Sequence, residues 1–289
     1  MAVSLTASQS SAAEADDERR LQALEIELLL TGLAERYGYD FRHYARASLT
    51  RRIRRAMTNE KVSSVSALQN RLLHDQEAAM RFVAAVSVHT TAMFRDPDVY
   101  KVLRSDVIPL LRTYPFVRIW HAGCSSGEEV YSLAILLEEA EIYDRCRIYA
   151  TDISDAILER ARQGVFPLRA MREHTRAYQR AGGTRDFSSY YVTDHERAVF
   201  RSSLRRQLVF SQHNLVCDSA FNEFQLIVCR NVLLYFDQTL RRRAHELFHS
   251  SLSNFGILVL GKKESLRFTE YAEVFQELRD GLRVYRRIR

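Results

Sequence analysis

Apolar residues recur at helical spacing through the first third of the chain, where no strand pattern is present. The sequence predicts three helices there, and the second, in ARASLTRRIRRAM, sets Leu49 and Ile53 against a face of arginines. The small polar residues of 1–17 indicate a disordered tail. We therefore expect a separate, all-α N-terminal domain over residues 18–88.

From residue 89 onward, short apolar runs alternate with amphipathic helical segments. The predicted strands lie in FVRIWHA, CRIYATDIS, LVFSQHNL, FQLIVCRNVLLYF, GILVLGK and GLRVYRRI. Such alternation is typical of an α/β domain with a doubly wound, mostly parallel sheet. Short period-two runs within 164–207 interrupt it and predict a small antiparallel β insertion. We expect residues 89–289 to form this α/β domain.

The composition is that of an ordinary globular protein, with 46% hydrophobic and 27% charged residues. The longest apolar runs are too short to cross a membrane, and the N-terminus lacks the features of a secretion signal. Four cysteines without a Cys-x-x-Cys pair favour reduced thiols in a cytoplasm. The net charge of +6 favours acidic partners.

The turn after the first predicted strand, GCSSGEE, combines glycines with acids. It matches neither G-x-G-x-x-G nor a P-loop, so pyrophosphate binding is disfavoured. Asp152 ends the second strand, where an acid can accept both hydroxyls of a ribose. S-adenosylmethionine (SAM) suits these residues, since it is an adenosine without phosphates whose positive charge Glu128 would compensate. The alternative is that Glu128 and Glu129 only stabilise a helix N-terminus.

Several stretches resemble, in the right order, the chemoreceptor glutamate methyltransferases of the CheR type. They are TAMFRDP, RIWHAGCSSGEEVYSLAILL, ATDIS, SQHNL and CRNVLLYFD, with YARASLTRRIRRAM in the N-terminal part. The resemblance covers nearly the whole chain after the tail. It implies a Rossmann-like, SAM-dependent methyltransferase that forms methyl esters on chemoreceptor glutamates in sensory adaptation and releases S-adenosylhomocysteine (SAH).

The resemblance also implies the residues of the site. Arg95, Arg230 and Tyr235 would border the reacting groups, and Arg95 or Arg230 could hold the substrate carboxylate. Outside this argument, Tyr235 could equally be a core residue. The residues implied to bind the cofactor are His89, Thr91, Arg95, Gly123, Glu128, Asp152, Asn214, Leu215, Asn231 and Val232. A glutamate carboxylate is ionised at neutral pH, so the reaction needs no general base.

The partner implied by the resemblance is the cytoplasmic helical region of a chemoreceptor. In that family the antiparallel insertion can dock a receptor tail, and the basic N-terminal helix faces the receptor. We expect no nucleic-acid partner, no membrane insertion and a monomer.

The chain departs from the family pattern at four places. His89 stands for Asn, Met93 for Phe and Val130 for Pro, while GKKES stands where GHSE is usual. These departures leave open a second function, in which the protein is a signalling adaptor that binds SAM or SAH and methylates nothing.

A motif suggests one further function, and the positive net charge with the arginine-rich helix suggests another. HELFH at 245–249 has the spacing of a zinc peptidase, but no third ligand follows it, so we interpret it as a chance match and expect no metal. A nucleic-acid amino-methyltransferase would carry an acidic or Asn-Pro-Pro-aromatic loop where CRNV stands at 229–232. An arginine there suits a carboxylate substrate better.

Overall fold

The structure is a computed structural model that describes residues 3–86 and 91–289. The chain divides into two compact units, Met1–Ser87 and Val88–Arg289. The helices of the first unit are α1 (Val3–Tyr37), α2 (Arg46–Glu60), α3 (Val65–His74) and α4 (Gln76–Val86). The helix α1 starts at Val3, within the residues 1–17 for which the sequence predicts a disordered tail, and the alanines there favour a helix.

The first unit is a small helical bundle around a core of leucines. Leu29 and Leu68 are fully buried, and Ile53 of α2 is buried on the side opposite the exposed arginines. Asp75 separates α3 from α4, where the sequence pattern suggested a single helix, because its carboxylate accepts the N–H of Ala78 at 3.1 Å and caps α4.

The second unit begins with α5 (Pro97–Val102), a π-helical turn (Leu103–Val107) and α6 (Ile108–Leu111). Its later helices are α7 (Glu128–Glu139), α8 (Asp155–Gln163), α9 (Met171–Arg180) and α10 (Gln238–Ser251). Its strands are β1 (Val117–Ala122), β2 (Cys146–Asp152), β3 (Val165–Pro167), β4 (Tyr191–Asp194), β5 (Arg197–Phe200), β6 (Leu208–Gln212), β7 (Phe224–Cys229), β8 (Leu252–Leu260), β9 (Phe275–Glu277) and β10 (Val284–Arg287).

Seven strands form one mostly parallel sheet in the order β6-β2-β1-β7-β8-β10-β9. The first five in that order are parallel, and β10 and β9 are antiparallel at one edge. The chain runs outward from β1 to one side through β2 and β6, and to the other side through β7 and β8. The switch point therefore lies between β1 and β7, where an α/β sheet opens a crevice at its carboxyl ends. The predicted doubly wound sheet is confirmed.

Three short strands form a separate antiparallel sheet, in the order β3-β5-β4, between α8 and β6. This is the small β insertion that the sequence predicts. It also contains α9, which the sequence prediction missed, although Met171, His174 and Tyr178 are buried at helical spacing.

The sequence predicts reduced cysteines and no membrane-spanning segment. The four cysteines are free thiols. Among the helices that the structure describes, none is both long enough and apolar enough to cross a membrane.

Candidate functional site

Each of three loops around the crevice at the carboxyl edge of the sheet contains at least one non-glycine residue with positive φ. Phe94 and Asp96 lie on either side of Arg95 with φ of 51° and 54°, Ser125 follows β1 with φ of 52°, and Asn231 follows β7 with φ of 61°. Non-glycine residues adopt positive φ rarely, and such strain persists where the surrounding structure enforces it, often at functional sites. These loops contain most of the predicted site residues.

The loop after β1 needs its first glycine for two reasons. Gly123 has a φ of +73°, and a Cβ at this position would lie 2.4 Å from Cγ2 of Val232 in the loop after β7. No side chain larger than hydrogen fits this approach without movement of Val232. Two of the predicted cofactor residues are thereby in contact across the switch point.

Asp152 is buried at the end of β2 and is held by the backbone of the neighbouring turns. Its two carboxylate oxygens accept the N–H groups of Ser125 at 2.9 Å and Ser154 at 3.1 Å. A carboxylate has about four lone-pair positions, so these bonds orient the group and leave acceptor capacity for a ligand hydroxyl.

The two glutamates at the start of α7 have different environments. Glu128 accepts a hydrogen bond from the Ser126 hydroxyl at 2.6 Å, and no cation of the described residues lies within 4.0 Å of its carboxylate. Burial raises the pKa of Glu128, which the Ser126 hydroxyl opposes. Its negative charge is therefore available to compensate a cationic ligand.

Glu129 instead belongs to a buried ion-pair network around Arg230. One guanidinium nitrogen of Arg230 donates to Glu129 at 2.7 Å and to the carbonyl oxygen of Arg95 at 3.0 Å, while the other donates to Asp96 at 2.6 Å. Only 2% of the Arg230 side chain is exposed. The two terminal nitrogens of Arg230 thus fix the loop that carries Arg95, while its buried Nε has no hydrogen-bond partner among the described residues. That Arg230 holds the substrate carboxylate stays a prediction.

A buried histidine lies beside this network and does not act as a partner in it. Neither ring nitrogen of His121 has a hydrogen-bond partner within the described chain. Burial, with the charge of Arg230 adding to it, lowers the pKa of His121 to about 3. At neutral pH the ring is therefore uncharged.

Arg95 lies at the edge of an open groove, and contacts of the buried Phe94 hold its loop in place. The groove has a volume of about 860 Å³, and residues 92–97 form one wall while α9 forms the other. The N–H of Phe94 donates to the Ser132 hydroxyl at 2.9 Å, and its ring contacts that of Tyr178 with centroids 5.2 Å apart. Thr91 is half-buried at the start of this loop, and His89 lies outside the described residues.

The loop after β6 carries two more of the predicted cofactor residues. Oδ1 of Asn214 accepts a hydrogen bond from the backbone N–H of Val216 at 2.9 Å. The backbone N–H of Asn214 donates to the Asp218 carboxylate at 2.8 Å. Leu215 is buried next to it. Asn214 therefore orders its own turn, and contact of Asn214 and Leu215 with the cofactor stays a prediction.

The loop after β7 contains Asn231, Val232 and Tyr235. Oδ1 of Asn231 is buried without a hydrogen-bond partner among the described residues. A buried acceptor in this state is unfavourable unless a ligand satisfies it. Tyr235 is half-buried at the end of a 3-10 turn, so it is not a core residue.

Glu264 is a site residue that sequence reasoning missed. Its buried carboxylate accepts the N–H of Gly261 at 2.6 Å, of Asn231 at 3.0 Å and of Leu234 at 3.3 Å. GKKE thus retains the glycine and the glutamate of GHSE at the same spacing. This retained spacing is the sequence signal that could have identified Glu264 as the residue that holds the loop after β7.

Other reactive groups near the site are structural. Burial raises the pKa of the Cys124 and Cys229 thiols well above the usual range, so both remain protonated at neutral pH. In HELFH, Leu247 and Phe248 are buried against the sheet, and the ring of His249 packs on Tyr271. Within the described ranges, no group of three His, Cys, Asp or Glu side chains is arranged to hold a metal ion.

The residues of the crevice fit SAM. Glu128 presents a carboxylate with no ion pair among the described residues, Asp152 an oriented carboxylate and Asn231 an unsatisfied acceptor. The ligand would need positive charge and hydroxyl or amino donors, which SAM has in its sulfonium, ammonium, ribose and adenine groups.

Several known proteins are similar to this chain in sequence or in structure. The Pseudomonas putida protein named Cher3 is 47% identical over 264 residues, which cover 91% of this chain and 97% of that protein. A chemotaxis protein methyltransferase of Listeria innocua is 32% identical over 79% of this chain and 85% of its own length. The N-methyltransferase NodS of Bradyrhizobium japonicum, solved with SAH, is 18% identical with a TM-score of 0.33, covering 58% of this chain and 62% of NodS.

Two family descriptions match adjacent parts of the chain. Residues 24–87 match the CheR methyltransferase all-alpha domain, and residues 89–280 match the CheR methyltransferase SAM binding domain. The second match alone covers more than half of the chain, and it contains every loop of the crevice. The chain therefore belongs to the CheR methyltransferase family, with SAM as its cofactor.

Proposed function

We propose that this protein transfers the methyl group of SAM to a glutamate side chain of a chemoreceptor and forms a glutamyl methyl ester. The observation that carries the proposal is the position of Arg95. It lies at the border of an open groove, on a loop that Arg230 fixes through the Arg95 carbonyl and the Asp96 carboxylate. Chemotaxis methyltransferases among the relatives support a receptor as the substrate.

Arg95 is the arginine that can hold the substrate carboxylate. Arg230 is buried and paired, whereas Arg95 lines the groove. A guanidinium binds a carboxylate through two parallel N–H bonds, which would hold one oxygen and leave the other directed at the methyl group. We propose Tyr235 at the same border, with a hydroxyl that can complete the orientation of the reacting groups.

The chemistry needs orientation more than proton transfer. When bound, SAM supplies a methyl group that is activated by the attached sulfonium. The substrate carboxylate is already ionised at neutral pH, so no residue has to remove a proton. Accordingly, His121 is buried with its pKa lowered to about 3, and the nearby thiols are protonated. Attack neutralises the carboxylate and sulfonium charges together, so exclusion of water by the loops favours the reaction.

The bond that is formed tests the proposal directly. Purified protein is incubated with methyl-labelled SAM and the cytoplasmic fragment of a chemoreceptor, and the labelled fragment is treated with mild alkali. A glutamyl methyl ester releases volatile methanol, whereas methylated nitrogen retains the label. Alkali-stable label would overturn the proposal in favour of N-methylation. SAM or SAH binding without any label transfer would favour the adaptor function.

Substitution of Arg95 tests its assignment. Arg95→Ala should lower kcat by about 100-fold, since a charge-assisted orienting contact is lost from the reacting geometry. Arg95→Lys should recover only part of it, because an ammonium cannot reproduce the bidentate contact. Kinetics with SAM saturating and unfolding curves for both variants separate this effect from misfolding. Unchanged turnover in Arg95→Ala would remove Arg95 from the proposed mechanism.

A further inference from the structure

An arginine stripe runs along the exposed face of α9. Arg172, Arg176 and Arg180 are spaced by four residues, and each is solvent-exposed. Such a stripe extends about 12 Å along the helix, at 1.5 Å per residue. Within the described part of the chain, none of the three forms an ion pair with a carboxylate. Their charges are therefore available to a partner.

The last two arginines of this stripe line the groove that borders Arg95. The charged residues of the groove lining are Arg95, Arg176 and Arg180 on the positive side and Asp96 and Glu173 on the negative side. Behind the Arg95 wall the buried Arg230 pairs with both Asp96 and Glu129, so the charges of Arg95, Arg230, Asp96 and Glu129 cancel. The groove thus has an excess of positive charge, and Arg176 and Arg180 of α9 supply it.

The two walls of the groove are held together beneath its floor. The ring of Phe94 in one wall contacts that of Tyr178 of α9 in the other, and the Tyr178 hydroxyl donates to the buried carboxylate of Glu139. Glu139 also accepts from Arg104 and from the N–H of Thr184 at 3.1 Å. The groove is therefore preformed, and a partner would meet arginines at a fixed spacing.

We propose that this groove docks an acidic helical segment of the substrate, with Arg176 and Arg180 binding its carboxylates while one glutamate reaches Arg95. This inference rests on the proposed function, since it assigns the surface that presents the substrate. The arginines repeat about every helical turn, which matches carboxylates spaced by four residues on a partner helix. The positive excess and the continuity with Arg95 favour an acidic polypeptide over an apolar one.

Direct binding tests the proposal without methyl transfer. The probe is a fluorescent, alanine-rich helical peptide of about 20 residues with glutamates at i, i+4 and i+8, compared with the same peptide carrying glutamines. Anisotropy should show binding of the glutamate peptide that weakens with salt, and at least about tenfold weaker binding of the glutamine peptide. Equal binding of the two peptides, or binding insensitive to salt, would overturn the proposal.

Paired variants locate the binding on the protein. Arg176→Gln with Arg180→Gln should weaken binding of the glutamate peptide about tenfold or more. The control, Arg118→Gln with Arg147→Gln, removes the same charge at the amino ends of β1 and β2 and should leave binding unchanged. Arg176→Glu with Arg180→Glu should prefer a matching lysine peptide. Equal loss in the control, or no loss in the groove variant, would place the contact elsewhere.

Kinetics distinguish failure of this inference from failure of the proposed function. With a receptor fragment as methyl acceptor, the groove variant should raise KM about tenfold while kcat and the calorimetric affinity for SAM stay near wild type. A wild-type protein that forms no alkali-labile ester contradicts the proposed function, whatever the peptide binding. Ester formation with unchanged KM in the groove variant contradicts the docking surface alone.

Discussion

Glu128 and Glu129 are adjacent in sequence, yet the fold assigns them different tasks. Glu129 is buried against Arg230, whereas the carboxylate of Glu128 has the Ser126 hydroxyl and no cation of the described chain beside it. Consecutive residues on a helix point about 100° apart, so one can enter the core while the other faces the crevice. At the scale of single residues, we propose Glu128 as the acid that binds the ligand, while Glu129 holds the Arg230 guanidinium in place.

Glu128→Gln should weaken SAM binding about tenfold, because it removes the charge that compensates the sulfonium and ammonium groups. Calorimetric titration with SAM measures this effect. Glu159→Gln, which changes an exposed acid of α8, is the matched control and should bind as wild type does. Wild-type affinity in Glu128→Gln would show that this acid only stabilises the helix N-terminus.

The same carboxylate should make SAM binding dependent on pH. Burial raises the pKa of Glu128, and a cationic ligand binds better to the ionised form. The affinity for SAM should therefore be constant above this raised pKa and fall as the pH decreases through it. Binding of SAM should in turn favour release of the proton from Glu128. Titrations over a pH series in wild type and Glu128→Gln test this, and an equal slope in both would assign the pH dependence to another group.

At the scale of elements, three loops are joined by two buried charged groups. Arg230 ties the loop after β7 to the Arg95 loop and to α7, and Glu264 ties the loop after β7 to the turn after β8. Each group satisfies several buried partners at once. The crevice is therefore shaped by side chains that need not touch the ligand themselves.

Arg230→Met should destabilise the protein by about 3–5 kcal/mol, because it leaves Glu129 buried without its counter-ion. Adding Glu129→Gln should recover part of this loss, since the second change removes the uncompensated charge. Urea unfolding of wild type, both single variants and the double variant gives the coupling energy. Strictly additive effects would contradict the ion pair as the source of the loss.

At the scale of the whole α/β unit, one carboxylate connects the sheet layer to the β insertion. Glu139 at the end of α7 accepts hydrogen bonds from Tyr178 of α9, from Tyr190 beside β4 and from Arg104. Burial acts to raise the pKa of Glu139, but these donors outweigh it and leave the pKa lowered. The insertion and one wall of the groove are thus held to the main domain by an ionised group.

Glu139→Gln should lower the stability of the protein at neutral pH, with a difference that disappears in acid. A carboxylate with a lowered folded-state pKa contributes stability above its unfolded value of about 4.5, and the contribution is lost as pH falls through the folded-state pKa. Unfolding free energies at pH values from about 7 down to 3 test this. A constant difference between wild type and variant would show that ionisation of Glu139 is not involved.

Much of this architecture could be predicted from local patterns. Period and length identified six of the seven strands of the main sheet, all except the short β9. Asp152 and the glycine turn pointed to a nucleoside without phosphates. The helix α9 was missed because its apolar residues are few and its arginines resemble a solvated face. Glu264 was missed because GKKES was interpreted as a departure from GHSE although the glycine and glutamate spacing is retained, and because its contacts with Asn231 and Leu234 cross to the loop after β7.

The sequence by itself determined the alternation of elements, the acid-and-glycine turn and the family motifs, because these depend on local periodicity and residue type. Only the tertiary structure decided which arginine is buried in an ion-pair network and which lines the groove. CRNV and FRDP present Arg230 and Arg95 as equivalent candidates, but the fold places Glu129 and Asp96 against the first and the open groove beside the second. Which arginine is buried among carboxylates and which borders a groove depends on contacts between loops that are distant in sequence, and those contacts exist only in the folded chain.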